Sequence, residues 1–184
     1  MPYPSKLTPD SILQAAQTLL DAGGPASLNM RPLAAALGVQ ASSLYRHFSD
    51  RETLLRALED VAASEFDQVL RAASSGKAPR EALWAAAEAY LDQARRFPHR
   101  YGLLLSPRPP AAAQPSPSKN LWNIVLHLVS ALSGQPDDTT RTVALWAYLH
   151  GYAVLDRSGL FGLSGPRGGF DLGLTALLDE MERA

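Results

Sequence analysis

An all-α chain in two helical parts is what the sequence predicts, and three observations carry that prediction. Apolar residues recur every three or four positions through most of the 184 residues, the spacing of one helix face. Runs that alternate apolar and polar, as a half-buried strand does, are scarce. The punctuation between the periodic stretches is that of helix ends: Thr8-Pro9, Gly38, Ser49 to Glu52 and Phe97-Pro98. With 46% hydrophobic and 19% charged residues, there are enough apolar side chains for a sizeable core.

The first helix opens at Thr8, a good N-cap, with Pro9 at the first helical position, where a missing N–H costs nothing. Ile12, Ala16 and Leu19 form its stripe, with Leu13 and Leu20 beside it, and Gly23-Gly24-Pro25 is expected to end it. Asn29 is placed to cap a second helix. Pro32 fits its first turn, and Gly38 closes it where a left-handed residue is wanted. A third helix runs from Gln40 to near Phe48. Ser49 and Glu52, three apart, read as a capping box that opens a long fourth helix, Asp50 to about Ala73. Leu55, Leu58, Ala62, Phe66 and Val69 are its expected inward stripe.

Ser74 to Pro79 is a break. The fifth helix carries Leu83, Ala87, Tyr90, Ala94 and Phe97, and Phe97-Pro98 stops it. "YGLLL" suits one more short helical turn. Ser106 to Ser118 is Pro-rich and is expected to be a mobile or extended loop. Three helices follow: Asn120 to Leu132, Asp137 to about Ser158, and Asp171 to about Glu182, the last preceded by the Gly-rich "GLFGLSGPRGG". The expected domain boundary lies near Arg56, giving domains 1–56 and 57–184.

Composition narrows the function. The chain has no cysteine, which excludes disulfides, thiolate metal sites and thiol catalysis. No apolar run approaches the ~20 residues of a membrane span. The opening "MPYPSKLTPD" lacks the apolar stretch of a signal peptide, so the expected location is the cytoplasm. The net charge is -1. Residues 1–56 hold five Lys and Arg against four Asp and Glu. A nucleic-acid reading must therefore rest on where the cations sit, not on their number.

Their placement is informative. Counted from Met30, Ala34 is fifth, Gly38 ninth, Val39 tenth and Leu44 fifteenth. That is the spacing of a helix-turn-helix: a small residue between the helices, a turn residue tolerant of positive φ, and an apolar residue pointing back inward. On the outer face, Ala41, Ser42 and Ser43 are small enough for close approach to base edges. Tyr45, Arg46 and His47 can reach phosphates or bases. Arg31 and Arg51 stand in the first turns of the flanking helices, where free amides also favour phosphate. Plain packing of two short helices accounts for the spacing as well; Tyr45 and the two flanking caps favour the DNA-binding reading.

From Thr8 to Leu55 the chain resembles the N-terminal DNA-binding domain of the TetR family of transcriptional regulators. The matching pieces are "ILQAAQTLLDAGG" and "SLNMRPLAAALGVQASSLYRHFSDRETLL", about the first third of the chain. The "LGV…SLYRHF…ETLL" core is a specific signature. The resemblance implies that the third helix is the recognition helix. It places DNA contacts on Asn29 and Arg31, on Gln40, Ser42, Ser43, Tyr45, Arg46 and His47, and on Arg51, where the family usually has Lys. Ala41 occupies a position often filled by Lys or a small residue; here it can touch only a thymine methyl.

Further on, "LWAYLHGYAVLDRSGLFG", Leu145 to Gly162, resembles the Trp-x-x-x-His-Gly segment of one TetR C-terminal subclass. Trp146 and His150 are four apart and share a helix face. They face either a ligand cavity or the core. Trp84, Tyr90, Tyr101, Trp122 and His127 are further candidates for a pocket wall, each of which core packing would also explain; together they suit an apolar cavity with few polar anchors. The helix Asp137 to Ser158 is apolar on more than one side, through Val143, Leu145, Trp146, Leu149, Ala153 and Val154, so burial on several faces is expected. By the resemblance, the last two helices pair with their copies in a second subunit.

Catalysis finds little support. His150 and Asp156 are six apart, no two histidines have metal-ligand spacing on one helix, and "GLSGPRGG" lacks the Lys-Ser/Thr ending of a phosphate loop. No metal or cofactor is expected. The expectation is a ligand-responsive regulator, most simply a repressor, that binds a palindromic double-stranded DNA operator as a homodimer. A small molecule would be its effector, and no membrane would be involved. The alternative is a helical small-molecule-binding or catalytic protein whose N-terminal bundle makes protein contacts.

Overall fold

The computed structural model describes residues 7–105, 117–162 and 168–183. Among the described residues are nine helices and no strand. In chain order these are α1 (Pro9–Ser27), α2 (Met30–Ala36), α3 (Ala41–Leu44), α4 (Arg51–Ser74), α5 (Pro79–Arg96), α6 (Pro98–Leu104), α7 (Pro117–Ser133), α8 (Thr139–Arg157) and α9 (Gly168–Met181). They fall into two compact units. One takes Met1–Ala62 with Phe97–Ala112, the other Ala63–Arg96 with Ala113–Ala184. The division falls inside α4, and α6 folds with the N-terminal helices although it follows α5 in sequence. The first unit is thus built from two stretches of chain, where the sequence reading draws one boundary near Arg56.

In the first unit, Thr8 caps α1 reciprocally with Ser11. Oγ1 of Thr8 accepts the Ser11 N–H at 3.2 Å, and Oγ of Ser11 accepts the Thr8 N–H at 3.0 Å. The expected end at Gly23-Gly24-Pro25 is a kink instead. Gly24 takes φ 69° and ψ −176°, and one further helical turn reaches Ser27. Glycine is required there twice over, since a Cβ would also stand 3.0 Å from the His99 ring of α6. Arg100 fixes the same contact, donating from Nε at 2.9 Å and from Nη2 at 2.6 Å to the two oxygens of Asp21.

Residues α2 to α3 form the predicted helix-turn-helix. Gly38 takes φ 67°, its N–H donates to Ala35 O at 3.1 Å, and the Val39 N–H donates to Ala34 O at 3.0 Å. This pair of bonds is the Schellman end of a helix, and Val39 carries the hydrophobic contact that accompanies it. Ile12, Leu20, Leu33, Leu44 and Leu54, all 0–1% exposed, meet in one core that Leu103 of α6 completes.

Three local expectations are corrected. Asn29 is the N-cap of α2 by backbone conformation, but its side chain makes no cap bond; it donates backward to Ala26 O at 3.2 Å. The cap of α4 is Asp50, one residue later than Ser49. Oδ1 of Asp50 accepts the Thr53 N–H at 2.7 Å, and the Ser49 hydroxyl donates to the same carboxylate at 3.1 Å. A carboxylate beats a hydroxyl at this position because it also answers the positive end of the helix dipole. The buried face of α4 keeps the expected Leu58, Ala62 and Phe66 but ends on Leu54 and Leu70, with Leu55 and Val69 at its margin.

In the second unit, α5 packs on α7 and α8, α7 also meets α8 and α9, and α8 meets α9. Leu83, Ala87, Tyr90 and Ala94 are buried on α5 as predicted, while Phe97 has become the N-cap of α6. The helix α8 is buried on one face only: Leu145, Leu149 and Ala153 are inside, while Val143 is 56% exposed and Val154 39% exposed. Residues 106–116 of the expected Pro-rich loop and 163–167 of the Gly-rich linker lie outside the described residues; Pro117 and Ser118 open α7.

Candidate nucleic-acid interface and ligand site

The recognition segment is short. The helix α3 ends at Leu44, and a turn over residues 45–47 follows, held by the His47 and Phe48 N–H groups on Leu44 O at 2.9 and 3.0 Å. Leu44 and Phe48 are the inward anchors, at 0% and 6% exposure. Everything between them is turned out. Gln40, Ser42, Tyr45, Arg46 and His47 are exposed, and Ala41 and Ser43 are half-buried. Tyr45 is 51% exposed, so its ring is accessible at this face.

Two grooves border this segment. One, of about 480 Å³, is lined by Asn29, Met30, Arg31, Pro32, Tyr45, Asp50 and Arg51. The other, of about 400 Å³, is lined by Leu7, Val39, Ser43, Arg46 and His47. Seven of the ten predicted DNA-contact residues therefore line these grooves, and the other three, Gln40, Ala41 and Ser42, continue the face as exposed or half-buried neighbours. Asp50 places an acid in the first groove. The Thr53 N–H and hydroxyl hold its carboxyl below the usual carboxylate range, so the groove carries that negative charge beside Arg31 and Arg51.

The predicted ligand residues separate into three groups. Tyr90, Trp122 and Trp146 come together: Tyr90 and Trp146 lie 6.1 Å apart edge to face, and Trp122 and Trp146 6.2 Å apart. Phe66, missed as a site residue although read as part of the α4 stripe, joins them at 5.7 Å from Tyr90. Centroid separations of this size are those of attractive aromatic pairs. Tyr90 is buried, Trp122 and Trp146 half-buried, and Trp84 is half-buried six residues before Tyr90 on α5. His150 is half-buried one turn beyond Trp146, and burial pushes its imidazole below the usual histidine range. His127 is exposed and belongs elsewhere, in a cleft of about 380 Å³ with Arg71, Lys77 and Ala82. Tyr101 is fully buried on α6 in the first unit.

A second aromatic group was not anticipated. Phe170 lies 6.0 Å from Tyr148 and 5.1 Å from Tyr152, which is 5.1 Å from Phe161. The signal available was the spacing of Tyr148 and Tyr152, four apart on one helix face. The Tyr148 hydroxyl donates to Phe170 O at 2.7 Å, which ties α8 to the start of α9.

Comparison with known proteins decides the family. Residues 12–58 match the bacterial regulatory proteins of the tetR family, and residues 83–179 match the tetracyclin repressor-like C-terminal domain. The chain belongs to the TetR family. It is 29% identical over 161 residues to an uncharacterized HTH-type transcriptional regulator of Mycobacterium tuberculosis, which covers 85% of this chain and 73% of that protein. Among solved structures, BioQ with its natural double-stranded DNA operator has a TM-score of 0.67 at 26% identity, covering 97% of this chain and 100% of that one. A TetR variant from Acinetobacter baumannii AYE, in complex with minocycline, has a TM-score of 0.72 at 23% identity, covering 97% and 98%. Among the described residues of this TetR protein, no helix is long and apolar enough to cross a membrane, and no group of three or more His, Asp or Glu could hold a metal ion.

Proposed function

We propose that this TetR protein is a cytoplasmic, sequence-specific DNA-binding repressor, not an enzyme, released from a palindromic operator by a small molecule. The observation that carries the reading is the recognition segment: Leu44 and Phe48 are spent on the core, while every polar side chain between Gln40 and His47 is left facing out or at the margin. Such a face suits the major groove, with Arg31 and Arg46 on phosphates and Ser42 and Tyr45 among bases and sugars. DNA contact falls to residues 1–56, and effector and dimer functions to 57–184, apart from α6, which packs with α1. BioQ, which carries an operator in its solved structure, supports this use of the fold.

A homodimer supplies the second recognition helix. The exposed apolar residues of α8 and α9, Val143, Val154 and Leu172 at 74% exposure, support pairing through these two helices. The ring group of Phe66, Tyr90, Trp122 and Trp146 is the proposed wall of the effector site. It suits an apolar, flat ligand, and the minocycline complex of a TetR fold supports a small molecule as the effector class. To move the population from operator-bound to released, the effector must favour the released state by roughly 10⁴-fold.

Selection of bound duplexes from a random pool, then titration of the winner at two salt concentrations, tests the reading. A palindromic consensus with a steep salt slope is expected. Absence of enrichment after unfolding, dialysis and refolding would refute operator binding.

A further inference from the structure

We infer that Arg51 serves the DNA-binding face as a positioning residue, acting through Asn29 and Arg31 instead of through its own charge. Only the last step rests on the operator reading above. Arg51 opens α4, yet its side chain reaches back to the end of α1. Its Nε donates to Leu28 O at 2.6 Å, and its Nη2 donates to Pro25 O. Between those two carbonyls, Ala26 O receives the Asn29 side chain at 3.2 Å. Three carbonyls of the α1–α2 connection are thus held by side chains, two of them by one guanidinium.

The geometry needs that particular group. A guanidinium is a planar fork whose Nε–H and Nη–H point the same way, so it spans two acceptors at once. An ammonium on a similar stem is a point donor. The connection so held leads directly to Asn29, Met30 and Arg31, and these line the same groove as Tyr45 and Arg51. Fixing the Leu28 and Pro25 carbonyls therefore fixes where the Arg31 side chain starts, relative to the recognition segment. A sub-ångström error in such a start is enough to spoil a contact. Two of the nitrogens of Arg51 are thus turned to protein carbonyls and away from a phosphate.

Arg51→Lys keeps the charge and removes the fork; Arg51→Gln removes both the charge and the fork. In the free full chain, amide hydrogen exchange is expected to accelerate at least tenfold at Leu28 and Leu33 in both variants, with the amides of α5 and α8 unchanged. Those two N–H groups bond to Pro25 O and Asn29 O. Unchanged exchange at Leu28 and Leu33 overturns the inference whether or not any DNA is bound. On the selected duplex, Arg51→Lys is expected to lose at least tenfold in affinity. Arg31→Ala should then cost less than a third as much in the Arg51→Lys background as in the native protein, the non-additivity of residues that act as a unit. Native affinity in Arg51→Lys, with a salt slope about one unit lower in Arg51→Gln, would make Arg51 a phosphate ligand and overturn the inference. If the native chain selects no duplex, operator binding falls, and the exchange measurement still decides the positioning role.

Discussion

The two units of this protein are held by different kinds of interaction. The helix ends of the first are set by neighbours in sequence, Thr8 with Ser11, Asp50 with Thr53, and Gly38 and Val39 with Ala35 and Ala34, while Arg100 on Asp21 and Arg51 on Leu28 close it over longer spans. Most of its proposed DNA-contact side chains stand within one short segment, residues 40–47, with Asn29, Arg31 and Arg51 beside it. The second unit is held by rings far apart in sequence. Phe66, Tyr90, Trp122 and Trp146 come from α4, α5, α7 and α8. A docking face can be specified locally, because only its backing needs the core. A ring cluster of this kind cannot, because each ring comes from a different helix.

The sharpest way to break this comparison is a core cavity in one unit with a reporter confined to the other. All three tryptophans, Trp84, Trp122 and Trp146, lie in the second unit. Leu44 is fully buried in the first. Leu44→Ala is expected to cost the first unit about 2–5 kcal/mol, the usual range for such a truncation. DNA binding should be lost at temperatures where the tryptophan emission is unchanged. If the emission shifts with Leu44→Ala at those temperatures, the two units do not melt separately and the contrast fails. Leu145→Ala, equally buried in the second unit, is the mirror experiment.

A smaller effect follows from the exposed face itself. Arg46→Ala removes a side chain that packs on nothing in the core, so the melting temperature should stay within a degree or two of native. Operator affinity should fall by about 1–3 kcal/mol. Binding to the selected duplex and to a scrambled one, measured side by side, shows which contact is lost. A uniform loss on both identifies a phosphate contact; a loss confined to the selected duplex identifies a base contact.

Much of the first unit was legible in the sequence for the reason these experiments exploit. Gly38, Thr8 and the inward Leu44 act over three to five residues, the range of a motif. The failures there were one-residue failures. Ser49 and Asp50 are both good caps, and only the backbone says which of them is the N-cap. Gly24 reads as a terminator, but the His99 ring that needs the space comes from α6, seventy-five residues on. In the second unit the same distance problem governs the site. Trp122 and Trp146 look alike on paper with His127 and Tyr101, but α7 turns His127 to solvent and α6 takes Tyr101 into the first unit. The periodicity of α8 showed two apolar sides; the chain buries the one with Leu145, Leu149 and Ala153 and leaves Val143 and Val154 exposed.

Next in size is the cap. Thr8→Ala removes the acceptor for the Ser11 N–H, while the Ser11 hydroxyl keeps its bonds to the backbone of residue 8. The cost should be about 1 kcal/mol, borne by the first unit. Thr8→Ser should restore it, since the hydroxyl is what the cap uses. Denaturant melts followed by far-UV circular dichroism are sufficient, with the tryptophan emission again as the silent control.

The smallest expected effect is in pH, and it separates the units once more. His150 of the second unit is held below the usual histidine range by burial, which disfavours its charged form. The unfolded chain therefore binds a proton that the folded chain resists. Stability from this group is complete above the unfolded value of about 6.5, and falls as pH drops from there through the folded pKa. Asp50 of the first unit is shifted the same way for the opposite reason: its cap bond from the Thr53 N–H favours the carboxylate. Its contribution is present above the unfolded value of about 3.9 and is lost as pH falls through the folded pKa. Acidification from pH 7 should accordingly loosen the tryptophan-bearing unit first, as pH falls below the unfolded histidine value, and the DNA-binding unit only in the acid carboxylate range. His150→Gln should flatten the upper step and leave the lower one. An upper step of native size in His150→Gln would assign it to another group and remove burial of this imidazole as its cause.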